Sequence, residues 1–400
     1  MNPVVKKAGH AVWRLLPHEF RRNAMTSVAA QLAGKPNQPW PHASNGVVVA
    51  GDIAGDNGLA ETARLFHDVI HAAGLSRGQV PLGLPGVVEM GTATVPPDAA
   101  LLAVVNAPIL PVGLLRMPRH VLKQRRVIGV WAWELPVVPR QWEFGAQFVH
   151  EIWAPSSFTA EALETIAPGR VRLVPYPLAA FTLPATGNRD SFGLHNDAVI
   201  VLTAFNLNSG TARKNPLGAI AAFKAAFGSD ERFQFIMKIS GAEAYAADLR
   251  SLAAAIGSAP NIKIINENLT EPRLRGLIAA CDIVLSLHRS EGFGLIPATA
   301  MLLGKPVVAT GWSGNLTFMT PETSALVSYR LVPPVDERGV YEVAGARWAE
   351  PDIEDAAAQL RRLGHDAALR QILGLAGQTH ARAVLGAAPV LAALHANGIH

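Results

Sequence analysis

The stretch Ser286–Asn315, SLHRSEGFGLIPATAMLLGKPVVATGWSGN, decides how this chain is read. A buried apolar strand runs out into polar residues, and the turn Gly292-Phe293-Gly294 opens directly into a helix starting near Leu295. A second apolar strand, Pro306–Thr310, then ends in the turn Gly311–Asn315. Glycines before a helix leave backbone N–H groups free at the positive end of the helix dipole, which suits a phosphate. Glu291 stands at the same place, and a carboxylate there suits a polyhydroxylated neutral group such as a sugar. Nucleotide sugars combine the two chemistries.

Outward from this unit the same alternation continues. Strands are expected at Ala198–Phe205, Phe233–Ile239, Asn261–Ile265 and Asp282–Leu287. Between them come helices at Pro216–Phe227, Glu243–Ile256 and Glu271–Ala280, and Leu295–Leu303 follows the last strand. The first half reads alike. Strand Gly46–Gly51 runs through Gly55-Asp56-Asn57-Gly58 into helix Leu59–Ala73, which Gly74 stops. Val127–Glu134 (VIGVWAWE) and Phe148–Ala154 are further strands, Pro155-Ser156-Ser157 caps the next helix, and Arg170–Tyr176 closes the half. Near-continuous apolar strands alternating with helices imply parallel sheets covered on both faces. The expected fold class is α/β, with two doubly wound, Rossmann-like domains facing each other. The divisions expected are a basic N-terminal segment 1–45, a domain 46–180, a second domain 181–370 and a helical segment 371–400.

Composition agrees with two domains. Four hundred residues, half of them hydrophobic and 16% charged, can bury two substantial cores. The single cysteine, Cys281, excludes an intrachain disulfide and fits a reducing, cytoplasmic setting. A net charge of +4 is compatible with an anionic substrate or membrane face and gives no reason to expect nucleic acid. The longest apolar stretch, Ala99–Leu115, is broken by Asn106, Pro108 and Pro111 and reads as strand and turn. Residues 3–25 alternate apolar side chains with Lys6, Lys7, Arg14, Arg21 and Arg22. Such a segment either lies on anionic lipid, as a peripheral contact at the inner face of the membrane, or packs on its own domain.

In open parallel sheets, ligands bind beyond the carboxyl ends of the strands. Every polar motif here follows a strand, so the motifs converge if the sheets face across a cleft. The loop Asn206–Asn215 (NLNSGTARKN), whose polar motif starts at Ser209, joins a strand to a helix with Pro216 in its first turn. Arg213 and Lys214 there are placed to stabilise a departing diphosphate. Lys238, ending an apolar strand, is a further cleft cation, and His288 and Arg289 are candidates for phosphate or sugar contacts. Gly55 and Gly58 mark a tight turn that faces the cleft from the first half. Trp131 and Trp133 share a strand face suited to the core, while Glu134 leaves the strand toward the cleft; Trp133 and Asn315 complete the cleft candidates. No two aspartates are spaced two apart and no zinc-type pattern occurs, so charge neutralisation is assigned to Arg, Lys and the helix dipole, without metal.

These residues resemble a known family. HRSEGFGL…GKPVVATGWSGN is similar to the C-terminal signature of retaining glycosyltransferases of family 4, which have the GT-B fold. RKNP with the following AFKAAF helix, WAWELP and EIWAPSSF look like a bacterial subgroup that builds surface polysaccharide. The resemblance runs from about Gly46 to about His380. It implies transfer of a sugar from a nucleotide-sugar donor, GDP- or UDP-linked, to a glycan or lipid-linked acceptor, with retention of configuration and no cofactor. It makes Glu291 the glutamate that contacts the donor sugar. Gly292, Phe293, Gly294 and Leu295 become the backbone near sugar and phosphate, and Lys214, with Arg213 beside it, the diphosphate holder. The family's second glutamate, a ribose ligand, is replaced by Thr299, which weakens the expected donor grip. The alternatives on this fold are a binding protein without turnover, an epimerase and a phosphorylase.

Overall fold

The computed structural model describes residues 18–55, 57–84, 88, 95–180 and 187–400. The sequence reading of residues 3–17 as a lipid-facing segment, and Asp56 of the glycine turn, lie outside them.

Six strands build the first sheet: β1 (Val47–Gly51), β2 (Ser76–Pro81), β3 (Ala100–Val104), β4 (Val127–Val130), β5 (Glu151–Ala154) and β6 (Val171–Leu173). Their order is β2-β1-β3-β4-β5-β6, and every pairing is parallel. A second sheet contains β7 (Val199–Asn206), β8 (Phe233–Ser240), β9 (Ile262–Asn266), β10 (Ile283–Ser286), β11 (Val307–Thr310) and β12 (Ala325–Val327). Its order is β12-β11-β10-β7-β8-β9, again all parallel. β1 and β3 are buried at every position because helices cover both faces, which is why they read as unbroken apolar runs. In both sheets the strand order reverses near the middle, at β1–β3 and at β10–β7, and crevices open at such switch points.

A hairpin absent from the sequence reading, β13 (Tyr329–Val332) with β14 (Trp348–Pro351), follows the second sheet. The expected strand Val127–Glu134 is shorter than its apolar run. The strand ends at Val130, the last bond to β5 runs from the Trp131 N–H to the Trp153 carbonyl at 3.0 Å, and Ala132–Glu134 leave the sheet. The alternation of Trp131 and Trp133 looked like pleat, but both rings are held by packing against Trp142. The loop expected at Asn206–Asn215 is instead coiled into a 3-10 turn, Leu207–Ser209, and one helical turn, Thr211–Lys214.

One hydrophobic core bridges the two sheets. Phe66, Tyr176, Phe293 and Phe318 form an aromatic chain across the boundary, with ring centroids 6.2, 4.7 and 5.0 Å apart in succession. The C-terminal chain strengthens this bridge. After helix Ala367–Val384, the Leu385 carbonyl accepts the Ala179 N–H at 2.8 Å. Helix Ala388–Ala396 then packs on helix Gly58–Ala72 of the first half. Asn397 ends the crossing by accepting from Arg126 Nη1 (2.6 Å) and donating to Glu151 Oε1 (3.1 Å).

Candidate active site

β10 delivers the site. The strand ends at Ser286, and the chain turns through His288–Gly294 before helix Leu295–Leu302. Gly294 sits at φ +101° as the helix N-cap, a conformation that side chains with a Cβ rarely adopt. This sharp entry leaves Glu291 on the turn, facing the exit of β7.

Glu291 is held by cations from that exit. Its Oε1 accepts from Lys214 Nζ at 2.5 Å and its Oε2 from Arg213 Nη1 at 2.9 Å. Arg213 also donates to the Ser290 carbonyl at 2.9 Å, and its Nη2 lies 3.7 Å from Glu134 Oε1 of the first domain. Beneath it, the Tyr341 ring centroid is 5.5 Å from the guanidinium carbon. Arg213 and Glu291 are buried, while the Lys214 side chain stays 20% exposed and Glu134 23%, so the cluster opens toward solvent on that flank. Burial alone would raise the Glu291 carboxyl, but Lys214 and Arg213 hold it well below the usual carboxylate range. Glu134 goes the other way: burial raises it more than Arg213 lowers it.

Immediately after Lys214, Asn215 adopts a left-handed conformation and caps helix Pro216–Phe227 by accepting from the Gly218 N–H at 3.2 Å. The two cations therefore sit beside a helix N-terminus, as the Pro216 signal implied. Cations, a helix dipole and a carboxylate in one place suit a ligand that carries both negative charge and hydroxyls.

The first domain closes over the turn. Ser156 Oγ and Thr159 Oγ1 both donate to the Gly292 carbonyl, at 2.6 and 3.1 Å, and Ser290 Oγ donates to the Glu134 carbonyl. Ser157 N–H reaches Thr317 Oγ1 at 3.3 Å. From the glycine turn, a Cβ added at Gly58 would lie 3.3 Å from Leu295 Cδ1, so this loop also meets helix Leu295–Leu302. Gly55 faces inward, against Asp52 and Asn57.

Other candidate residues are placed behind this surface. His288 is fully buried, its Nδ1 near Ser286 Oγ (3.0 Å) and its Nε2 near the Trp312 carbonyl (3.2 Å) and Asn315 Oδ1 (3.1 Å). Burial lowers its pKa and favours the neutral ring, which acts as a brace rather than a phosphate cation. Asn315 is equally buried and ties this brace to the Thr310 carbonyl. Phe293 belongs to the bridging core, and Trp133 is wedged between Trp142 and Tyr341 with its Nε1 donating to the Val137 carbonyl at 2.9 Å. Arg289 pairs with Glu350 of β14 at 2.7 and 3.0 Å. Lys238 lies inside β8 two residues before its end and is 7% exposed; burial lowers its pKa. Ser209 lies in the 3-10 turn before Gly210, and Thr299 is buried mid-helix at 9% exposure.

Sequence reasoning missed Tyr341, Ser156 and Thr159 as site neighbours. Ser156 was legible as a helix cap, and it does accept the Thr159 N–H at 3.1 Å. Its second bond crosses the domain boundary and has no local signature. Tyr341 comes from the loop between β13 and β14, which lacks any strand or helix period.

Residues 197–380 match the family model described as "Glycosyl transferases group 1". No curated protein sequence matches the chain. Among solved structures, a point mutant of S. aureus TarM, in complex with fondaparinux, alpha-GlcNAc-glycerol and UDP, is 11% identical with a TM-score of 0.53. That match covers 75% of this chain and 55% of TarM, so the chain spans little more than half of that protein. Anabaena HepE, in complex with UDP and glucose, is 14% identical over 87% of this chain and 98% of its own, with a TM-score of 0.60. Sucrose-phosphate synthase from Thermosynechococcus elongatus is 16% identical over 88% and 98%, with a TM-score of 0.62. No described helix is long and apolar enough to cross a membrane. The fold is that of the GT-B glycosyltransferases, and with the match of the second domain to glycosyl transferases group 1 it supports reading the chain as a glycosyltransferase.

Proposed function

We propose that the protein transfers a sugar from a GDP- or UDP-linked donor to a glycan or lipid-linked acceptor, with retention of anomeric configuration. The setting proposed is synthesis of cell-surface polysaccharide at the inner face of the cell membrane. One observation carries the reading. Arg213, Lys214 and the N-terminus of helix Pro216–Phe227 converge on Glu291 at the exits of β7 and β10, with Glu134 of the first domain facing them. That UDP and glucose are bound by HepE, a structure of like fold, is consistent with it.

Breaking the bond between sugar and diphosphate builds negative charge on the leaving oxygens. Arg213 and Lys214 neutralise that charge, and the helix dipole adds to them. A diphosphate that meets these cations competes with the Glu291 carboxylate for the same N–H donors. Donor binding thereby turns Glu291 away from Lys214 and toward the sugar, whose hydroxyls it orients and whose developing positive charge it stabilises. Glu134, on the acceptor side, is placed to accept a hydrogen bond from the incoming hydroxyl, and as the bond from that oxygen to the sugar forms and the sugar–phosphate bond breaks, the hydroxyl proton passes to the departing diphosphate oxygen. The Ser156, Thr159 and Ser290 contacts shut the cleft and keep water from the donor. No metal or cofactor is called on in this scheme. Thr299 offers one neutral hydroxyl where a carboxylate would grip ribose, so donor affinity is expected to be modest.

The test is turnover. UDP- and GDP-sugars are incubated with the protein and release of nucleoside diphosphate is followed, with Glu291→Ala alongside. Diphosphate release that falls at least about 100-fold in the variant supports the reading. Interconversion of donor sugars without release, or release dependent on inorganic phosphate, would replace it with an epimerase or a phosphorylase.

A further inference from the structure

The helix His18–Leu32 carries apolar side chains on two faces. Thr26, Ala29, Ala30 and Ala33 are buried against the first domain, where Thr26 Oγ1 donates to the Pro108 carbonyl at 3.0 Å. Met25, Val28 and Leu32, spaced three and four apart, form a second stripe along one side and are 42%, 54% and 53% exposed. Leu115, at the end of the segment Leu110–Leu114 on which this helix packs, is a further exposed apolar residue.

Basic groups flank the stripe. Arg119 donates to the Leu32 carbonyl at 2.8 Å, so its guanidinium stands at the helix C-terminus. The Asn37 N–H reaches the Lys123 carbonyl at 2.8 Å, which brings the short helix Arg119–Lys123 alongside residues 33–37. Arg119, Lys123 and Lys35 are exposed. No aspartate or glutamate occurs between residues 24 and 51 or between 99 and 133, the stretches that supply these apolar and basic groups. Helix Gln141–Ala146 also packs on this helix and brings exposed Glu143, so among the described residues three cations stand beside the stripe against one carboxylate. An apolar stripe with a mainly basic edge matches an anionic bilayer, whose acyl boundary takes the apolar side chains and whose headgroups take the charges.

We propose that Met25, Val28 and Leu32, with Lys35, Arg119 and Lys123 beside them, dock the protein on an anionic lipid surface. The inference rests on the lipid-linked-acceptor part of the proposed function only for its purpose. The surface lies on the first domain, apart from the Glu291 cluster, and binds lipid whether or not sugar is transferred.

The experiment is co-sedimentation of the full-length chain with phosphatidylcholine vesicles, with and without phosphatidylglycerol. The variants are Val28→Asp/Leu32→Asp, Lys123→Glu and Lys6→Glu/Lys7→Glu. Both aspartate positions are more than half exposed, and unchanged thermal melting and nucleotide diphosphate binding confirm that each variant is folded and its donor site intact. Binding is expected only to vesicles containing phosphatidylglycerol. It should weaken at least about tenfold in the double aspartate variant and about fivefold or more in Lys123→Glu. Equal binding to neutral vesicles, wild-type binding by the double aspartate variant, or a loss confined to Lys6→Glu/Lys7→Glu would overturn the proposal. So would a dimer that the aspartates dissociate while vesicle binding is unchanged, because a second copy would then be the occupant. Loss of diphosphate binding with lipid binding retained would count against the transfer reading alone.

Discussion

In the proposed reaction Glu291 is the residue on which the chemistry turns, and its surroundings make a specific demand. Its carboxylate takes one hydrogen bond from Lys214 and one from Arg213, the cations assigned to the diphosphate in the proposed reaction. Glu291→Gln removes the charge that competes for them. We expect turnover to fall while UDP or GDP affinity stays equal or rises; calorimetry reads the affinity, and a clear fall would show that Glu291 helps to hold the diphosphate. The departure at Thr299 makes the complementary prediction. Thr299→Glu supplies a charged acceptor for ribose, and charge-assisted hydrogen bonds are about twice as strong as neutral ones. A gain of about 1–2 kcal/mol, roughly tenfold in affinity, is expected in the same titration; unchanged affinity would separate this position from the nucleotide. Glu291, Arg213 and Lys214 were legible in the sequence because each stands at a strand exit next to a helix signal. His288 and Asn315 looked equally polar and equally well placed. Sequence spacing does not reveal which polar side chain turns inward, and these two brace each other in the interior.

At the scale of elements, the sequence described regular structure well where one physical cause dominated. Helix Glu271–Ala280 has the expected ends, because Thr270 and Pro272 start it and the chain turns extended at Cys281. The parallel strands with unbroken apolar runs are legible, whereas the largely exposed β2 and the three-residue β12 are not; the reading also runs too far at Val127–Glu134, since Trp133 stays buried beyond the last pairing. The β13–β14 hairpin escaped notice because β13 is mostly exposed and carries no buried stripe, although the loop after it brings Tyr341 to Arg213. The turn after β11 gives a sharper case. A Cβ added at Gly314 would lie 2.3 Å from the Gly292 carbonyl oxygen, which is itself gripped by Ser156 and Thr159. Backbone meets backbone there, so neither side yields by a rotamer change. Gly314→Ala is expected to destabilise the fold by about 2–4 kcal/mol, seen as a fall in urea midpoint at constant slope. A neutral outcome would mean that the two turns are not locked together.

At the scale of the whole molecule, the two halves are joined by a shared aromatic core, by hydroxyl contacts across the cleft and by the C-terminal return to the first domain. Local periodicity predicted two domains but could not show this return, which depends on pairings such as Asn397 with Arg126 and Glu151. One group between the halves gives the assembly a pH response. Glu61 opens helix Gly58–Ala72, and burial, reinforced by Glu271 of the second half and opposed by Arg64 and Arg275, pushes its carboxyl up to about 7. An unfolded glutamate titrates near about 4.3, so between these values the folded protein holds a proton that the unfolded chain has released. This contribution is fully present below about pH 4.3 and is lost as the pH rises through about 7, amounting to at most about 3–4 kcal/mol. Glu61→Gln should flatten that part of the stability profile in urea melts from about pH 5 to pH 8; an unchanged slope would assign it to other groups. The central claim, that Arg213 and Lys214 form the diphosphate end of a nucleotide-sugar cleft, is tested most directly by calorimetric titration of UDP and GDP into the wild type and Lys214→Ala. The account predicts saturable binding of at least one diphosphate, weakened about tenfold or more by the substitution. Binding of neither, or equal binding by both proteins, would contradict it.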